Sequence, residues 1–418
     1  MLGSIRRFSP TPRRKTTLGA MALGAAAVLV LAGCGDKSAD SGSASGTEGA
    51  GALSIQPLLQ IDREGKEVPK ADVSSAADPA GEGAATCAPG TSIAMTGALT
   101  GPDAALGINI LDGVKLALDE HNKANPGCRI ELKQFDTEGD PQKATQVIPQ
   151  IVNDQSVVGL VGPAFSGETK ATGKILSDAA LVAVSSSATN ATLTKNGWTS
   201  FFRGLANDDV QGPSVANYLV NTAGYKKVCV IQDNTDYGTG LAASITQGLG
   251  AAADPACAAS IKKGDKDFSA TVTKIGAAKP DAIFYSGYYS EAAPLAQQLK
   301  SGGVNAVFVS ADGTNDPQFV AQAGSAAEGA VLSCPCGPAP EEFATKYQAL
   351  NGQAPGVYSV EAYDLATVLV KGIDAGKVTR PDLLEFVRAY DGNGLARQYK
   401  WAPDGELANA LIWIYEVK

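Results

Sequence analysis

The chain has 418 residues, 44% of them hydrophobic and 18% charged, and its 34 basic and 43 acidic side chains give a formal net charge of −9. An acid excess of this kind opposes the phosphate backbone of nucleic acid, and the length exceeds what one hydrophobic core comfortably organises. A single histidine, His121, restricts imidazole chemistry, while seven cysteines direct attention to disulfides.

Residues 1–33 carry Arg6, Arg7, Arg13, Arg14 and Lys15, no acidic residue, and then an apolar run from Leu18 to Ala32. This is the pattern of an export signal, and the run is too short and too rich in Gly and Ala for a comfortable membrane span. Its end, Leu31-Ala32-Gly33-Cys34, resembles the lipobox of bacterial lipoproteins, which makes Cys34 the expected lipidation site and mature N-terminus. A plain signal peptide with a chance cysteine is the bland alternative. The Arg13-Arg14 pair leaves the choice between general and twin-arginine export open. Without its first 33 residues the chain keeps 29 basic against 43 acidic side chains, a net charge of −14. Whatever binds here is expected to bind outside the cytoplasm.

Residues 34–86 are poor in aromatics and rich in Ser, Gly, Ala, Asp and Glu, so they read as a flexible tether. Within them the apolar patch Leu53 to Ile61 is left without an assigned structure. The remaining six cysteines suit an exported chain. Cys87 and Cys128 each precede an expected strand, Cys229 and Cys257 begin two later ones, and Cys334 and Cys336 flank Pro335. Three local bridges in that order are expected, with free buried thiols as the alternative. A zinc site would need more ligands than these offer.

From Cys87 onward, continuous apolar runs at 92–97, 129–135, 157–163, 181–186, 228–232, 282–287, 306–310 and 329–333 alternate with amphipathic stretches at 108–123, 141–153, 208–222, 238–250, 268–277 and 291–300. Such alternation calls for parallel sheets covered on both faces, an α/β fold. The pattern breaks near Gly204 to Asp209 and again after Cys336, where 341–390 is helix-rich; two short strands, 397–401 and 411–417, follow around Pro403-Asp404-Gly405. The expected organisation is two doubly wound lobes, residues 87–205 with 337–392 and residues 206–336 with 393–418.

In open parallel sheets, ligands sit beyond the carboxyl ends of the strands, beside helix N-termini. Four such ends carry hydroxylated or aromatic residues, and a fifth carries an aspartate. Ser166 follows the first, where it serves equally as a helix N-cap or as a ligand donor. Ser187, Ala188 and Thr189 follow the second, as a polar loop or as partners of Ser166 around a carboxylate. Tyr237 and Tyr288 follow two strands of the other lobe, as cleft walls or as core residues. Asp312 follows a further strand, either to meet a ligand ammonium or to close a turn with Gly313.

Thr96 to Gly107 (TGALTGPDAALG), Asp112-Gly113, Val161-Gly162 through Ser166, Ser185 to Thr189, Asp209 to Pro213, Asp236-Tyr237-Gly238, Lys266-Asp267-Phe268 and Tyr285 to Tyr288 resemble, in order, successive motifs of the branched-chain amino acid ABC-transporter substrate-binding family. The resemblance implies a type I periplasmic binding protein, with two lobes joined by three crossovers and a ligand between them. It places Ser166, Ser187 and Thr189 at the ligand's carboxylate and ammonium, Tyr237 and Tyr288 on the cleft wall, Asp312 against the ammonium and Tyr358 at the side-chain pocket. It further implies a monomer without cofactor or metal whose partner is an ABC permease with its ATPase. Two departures leave the solute unsettled: Leu106 stands where leucine-binding relatives have a tyrosine, and Asp312 where they have Glu.

Enzymatic readings find little support. There is no GxSxG, Ser260-Ile261-Lys262-Lys263 lacks the companions of an SxxK site, and His121 beside Glu120 and Asn122 is expected on an exposed charged helix face. Gly238-Thr239-Gly240 with Ala243 approximates a dinucleotide fingerprint but sits too far beyond its strand. A sensing receptor of the same fold, acting on a membrane signalling partner, remains the alternative to transport.

Overall fold

The computed structural model describes residues 53–70, 75–408 and 411–418. The export segment and Cys34 lie outside the described residues. No helix among the described residues is long and apolar enough to cross a membrane.

In chain order the elements are β1 (Ile55–Ile61), β2 (Ser92–Gly97), α1 (Ala104–Ala124), β3 (Glu131–Asp136), α2 (Pro141–Asn153), β4 (Val157–Val161), α3 (Ser166–Asp178), β5 (Val182–Ser185), β6 (Phe201–Arg203), α4 (Asp208–Asn217), β7 (Val228–Gln232), α5 (Asp236–Leu249), β8 (Ala259–Ser260), α6 (Ser269–Ala278), β9 (Ala282–Ser286), α7 (Tyr289–Ser301), β10 (Val307–Ser310), α8 (Pro317–Ala323), β11 (Val331–Cys334), α9 (Glu341–Asn351), α10 (Ser359–Asp374), α11 (Arg380–Ala389), β12 (Asp391–Asn393), β13 (Gln398–Lys400) and β14 (Ile412–Val417). They build two large sheets with helices on both faces and a two-stranded ribbon, β12-β13. Lobe 1 holds the parallel order β3-β2-β4-β5-β6, and lobe 2 the order β1-β14-β11-β10-β9-β7-β8, antiparallel only at β14 and β1. Strands β4, β5 and β9 are buried along their whole length, which explains why they read as unbroken apolar runs.

The chain starts in lobe 2 at β1, enters lobe 1 before β2, passes to lobe 2 between β6 and α4, returns between β11 and α9, and ends in lobe 2 at β14. Helix α10 packs on α1, so the helix-rich segment belongs to lobe 1. Local signals fix helix starts: Asp140 accepts from the Gln142 and Lys143 amides ahead of α2, and Asn207, Thr235, Asp316 and Thr379 cap α4, α5, α8 and α11. The cysteines join as Cys87–Cys128, Cys229–Cys257 and Cys334–Cys336.

Three expectations need correcting. The tether assigned to 34–86 contains β1, which pairs antiparallel with β14 from Ile55 opposite Val417 to Ile61 opposite Ile412. Composition over the whole segment hid a seven-residue strand whose last side chain, Ile61, is fully buried. Pro57 and a register irregularity before Leu59 mark it as an edge strand, where a missing N–H does no harm. After it, residues 75–87 lie on lobe 1, where Asn125 donates to the Ala80 carbonyl and accepts from the Ala85 amide.

Residues 393–407 also lie on lobe 1 instead of lobe 2. Strand β13 pairs with β12, the Tyr399 phenol donates to Asp364, and the Trp401 indole donates to the Arg203 carbonyl. Only β14 rejoins lobe 2, so the two C-terminal strands do not pair with each other. Third, His121 is fully buried, not exposed: its Nε2 lies 2.9 Å from Asp374 Oδ1, between α1 and α10. The alternation of charges beside it concealed a helix face covered by α10. Cys128 lies near this pair, but its sulfur is bonded to Cys87, so the three do not form a metal-ligand set.

Candidate functional site

The carboxyl ends of β4, β5, β7, β9 and β10 point at the seam between the lobes. A cavity there is lined by Leu106, Ile110, Ala164, Phe165, Ser166, Ser187, Tyr237, Tyr288, Asp312 and Tyr358. It holds about 270 Å³ of space between atoms, part of it open to solvent. The lobes are closed on each other, Tyr358 and Phe165 of lobe 1 touching Asp312 and Tyr288 of lobe 2.

Six of the eight expected site residues meet at this cavity: Ser166 and Ser187 from lobe 1, Tyr237, Tyr288 and Asp312 from lobe 2, and Tyr358 from the turn before α10. Ala188 and Thr189 lie behind its wall, both fully buried. Ser166 is the first residue of α3 and not its cap; Phe165 takes that place, with Glu168 accepting from the Phe165 amide at 3.2 Å. The Ser166 hydroxyl oxygen accepts from the Asn190 amide at 3.2 Å, which leaves its proton free to donate. Ser187 is committed in the other sense, donating to the Ala164 carbonyl at 2.6 Å. A helix N-terminus and a free hydroxyl proton therefore face one end of the cavity, a combination suited to an anion.

Asp312 occupies the opposite wall. Its Oδ2 accepts from the Tyr358 phenol at 2.6 Å, and its Oδ1 from the Gln211 amide at 2.9 Å and the Tyr237 phenol at 3.0 Å. All three donors are neutral, so the buried carboxylate has several hydrogen bonds and no cation among them. Burial pushes the Asp312 carboxyl upward, opposed by the bonds from Tyr358 and Gln211. Nearby Asp208, at the start of α4, is pushed up to about 8 by burial and then by the charge of Asp312. Neither of its carboxylate oxygens has a hydrogen-bond partner, nor does the buried hydroxyl of Thr189.

The remaining walls are apolar and aromatic. Tyr288 stacks obliquely against Tyr237 at 5.1 Å and against Phe165 of the other lobe at 5.2 Å. Leu106 and Ile110 contribute one turn of α1. Tyr358 holds a left-handed backbone with φ 69°, a conformation that costs a non-glycine residue on the order of 1 kcal/mol and is maintained here by its bond to Asp312.

Sequence reasoning missed Gln211, Ile110 and Arg203. Gln211 lies within the quoted Asp209 to Pro213 motif, which was the available signal. Arg203 is fully buried at the end of β6, where it donates to the carbonyls of Ala188 and Asn190 and pairs with Glu406 at 3.0 Å. It thereby fixes the loop that carries Ser187 to Asn190. Its partner lies 203 residues away, beyond the reach of any local pattern.

A family model described as periplasmic binding protein matches residues 90–418. The leucine-, isoleucine-, valine-, threonine-, and alanine-binding protein of Pseudomonas aeruginosa is 29% identical, over 78% of this chain and 89% of its own. A Leu/Ile/Val-binding protein homolog of Brucella melitensis is 30% identical, over 72% of this chain and 83% of its own. Among solved structures, the branched-chain amino acid transporter substrate binding protein LivJ of Streptococcus pneumoniae, in complex with isoleucine, superposes with a TM-score of 0.71 at 28% identity, covering 77% of this chain and 94% of that one.

Proposed function

The chain belongs to the branched-chain amino acid group of type I periplasmic binding proteins, a non-enzymatic, extracytoplasmic solute-binding family, and on that premise we propose that its own solute is a free amino acid with an apolar side chain. The observation that carries this reading is Asp312, a buried carboxylate held by three neutral donors in a cavity whose far end presents the N-terminus of α3 and the Ser166 hydroxyl. A zwitterion matches both ends, with ammonium toward Asp312 and carboxylate toward α3. Leu106, Ile110 and Phe165 then surround an apolar side chain.

Capture proceeds by closure. Contacts from both lobes to one solute favour the closed form over the open one, and only that differential affinity shifts the equilibrium. The closed protein then delivers its solute to an ABC permease driven by its ATPase, while Cys34, lipidated, holds the protein at the membrane surface. No bond is made or broken in the solute.

Titration calorimetry of the body from residue 53 onward against leucine, isoleucine, valine, threonine, alanine and benzoate tests the solute class. An apolar zwitterion binding at least tenfold tighter than benzoate supports the reading. Benzoate binding as tightly as the amino acids overturns it. Mass spectrometry of the membrane-extracted protein and of its Cys34→Ala variant tests the anchor.

A further inference from the structure

Outside the cavity, the lobes meet at a second polar cluster. Lys263, in the loop between β8 and α6 of lobe 2, places its ammonium 2.5 Å from Asp103 Oδ2 of lobe 1 and 2.7 Å from Glu291 Oε2 of lobe 2. The Ser290 hydroxyl lies 2.7 Å from Asp103 Oδ1 and 2.8 Å from Lys263 Nζ, and the Gly264 amide donates to the other oxygen of Glu291 at 2.9 Å. The side chains of Asp103 and Glu291 are 5% and 1% exposed, so this cluster is screened by solvent far less than the charged contacts Lys170 with Asp236, at 57% and 34%, and Lys195 with Asp209, at 64% and 54%, which also join the lobes. The same ammonium lies 4.8 Å above the ring of Tyr288, whose other neighbours are Tyr237 and Phe165 in the cavity wall.

We propose that Asp103 and Lys263 form a closure latch that sets solute affinity without touching the solute. The two halves of the cluster behave differently when the lobes part. Lys263, Ser290 and Glu291 all belong to lobe 2 and keep one another in either state. Asp103 alone changes partners, exchanging Lys263 and Ser290 for water. Its contacts therefore contribute only to the closed form, which is the condition for shifting the equilibrium. Lys263 also lies on Tyr288, so the latch adjoins the lobe 2 wall of the cavity. Beside it the Ala105 amide of α1 donates to the Tyr289 phenol at 3.3 Å, so the amides of this stretch report whether the latch is shut.

The inference rests on the solute-binding reading, and its test separates the two. Asp103→Asn keeps the shape, and the side chain makes no cap bond to α1 that could be lost. In calorimetry this variant is expected to bind the preferred amino acid about tenfold more weakly, with less dependence on sodium chloride than the parent. Lys174→Ala, which breaks a pair within α3 alone, serves as the control. Affinity of Asp103→Asn within twofold of the parent overturns the latch. If the parent binds none of the solutes, the solute-binding reading fails, and the latch is then decided by hydrogen–deuterium exchange without ligand. Exchange of residues 103–107 accelerated about tenfold in Asp103→Asn supports it, and unchanged exchange overturns it.

Discussion

Tyr358 of lobe 1 donates its phenolic proton to Asp312 of lobe 2 at 2.6 Å, so the residue proposed to meet the ligand ammonium is also a contact between the lobes. Burial keeps the Tyr358 phenol well above its ordinary range, so it stays a donor at every physiological pH. Removing the Asp312 charge should abolish the preference for zwitterions. Asp312→Asn is expected to weaken binding of an apolar amino acid by about 100-fold, in keeping with the loss of a charge-assisted bond in a buried site, while Tyr358→Phe costs about tenfold. Calorimetry of both variants against the amino-acid panel measures this. Equal affinities for parent and Asp312→Asn would remove Asp312 from the site.

Four buried carboxyls, Glu168, Asp208, Asp233 and Asp364, are raised to about 7, 8, 6 and 7, in each case chiefly by burial. A carboxyl whose pKa is higher folded than unfolded binds more protons in the folded state. Its contribution to stability is complete below the unfolded pKa and is lost as pH rises through the folded one. The ligand-free protein should therefore have a lower Tm at pH 8 than at pH 5. Asp208→Asn, which replaces an unpartnered buried carboxyl by a neutral amide, should flatten that slope and raise the Tm at pH 8. Scanning calorimetry across this interval decides it, and a parent Tm that rises from pH 5 to pH 8 contradicts the argument.

Strand β1 predicts a measurable role for a segment that composition marks as spacer. Ile61 is fully buried opposite Ile412, so Ile61→Asp places a charge in the lobe 2 core and should cost about 3 kcal/mol or more. Leu58, at 43% exposure on the same strand, should tolerate Asp with a change within about 0.5 kcal/mol. Denaturant unfolding of the two variants compares them, and a flexible tether would leave both unchanged.

What the sequence revealed follows from the range of each signal. Strands buried on both faces, such as β4 and β9, appear as unbroken apolar runs, and their ends therefore located Ser166, Tyr288 and the parallel sheets. The short strands β6 and β8 carry three and two residues, too few for any period to show. Segment 393–407 was misplaced because the groups that hold it, Asp364, Arg203 and Thr194, are remote in sequence. Thr189 is expected at the ligand, whereas its side chain is buried outside the cavity lining, because alternation along a loop carries no information on which side of the wall a hydroxyl falls.

Arg203 offers the sharpest test of how the lobe 1 half of the site is held. Its guanidinium spans the carbonyls of Ala188 and Asn190 and the carboxylate of Glu406, which is held below the usual carboxylate range by that charge despite burial. A planar fork serves two carbonyls and a carboxylate at once, whereas a lysine ammonium cannot match the same geometry. Arg203→Lys should therefore keep the charge and lose the loop. The expected result is a stability loss of about 2 to 4 kcal/mol and a solute affinity reduced by more than stability alone accounts for, because Ser187 is displaced from the cavity. Glu406→Gln, which leaves both carbonyl bonds in place, should lower stability but retain most of the affinity. Unfolding and calorimetry on the pair separate the two effects. If Arg203→Lys binds solute like the parent while Glu406→Gln does not, the loop is held from the Glu406 side and the role assigned to Arg203 is wrong.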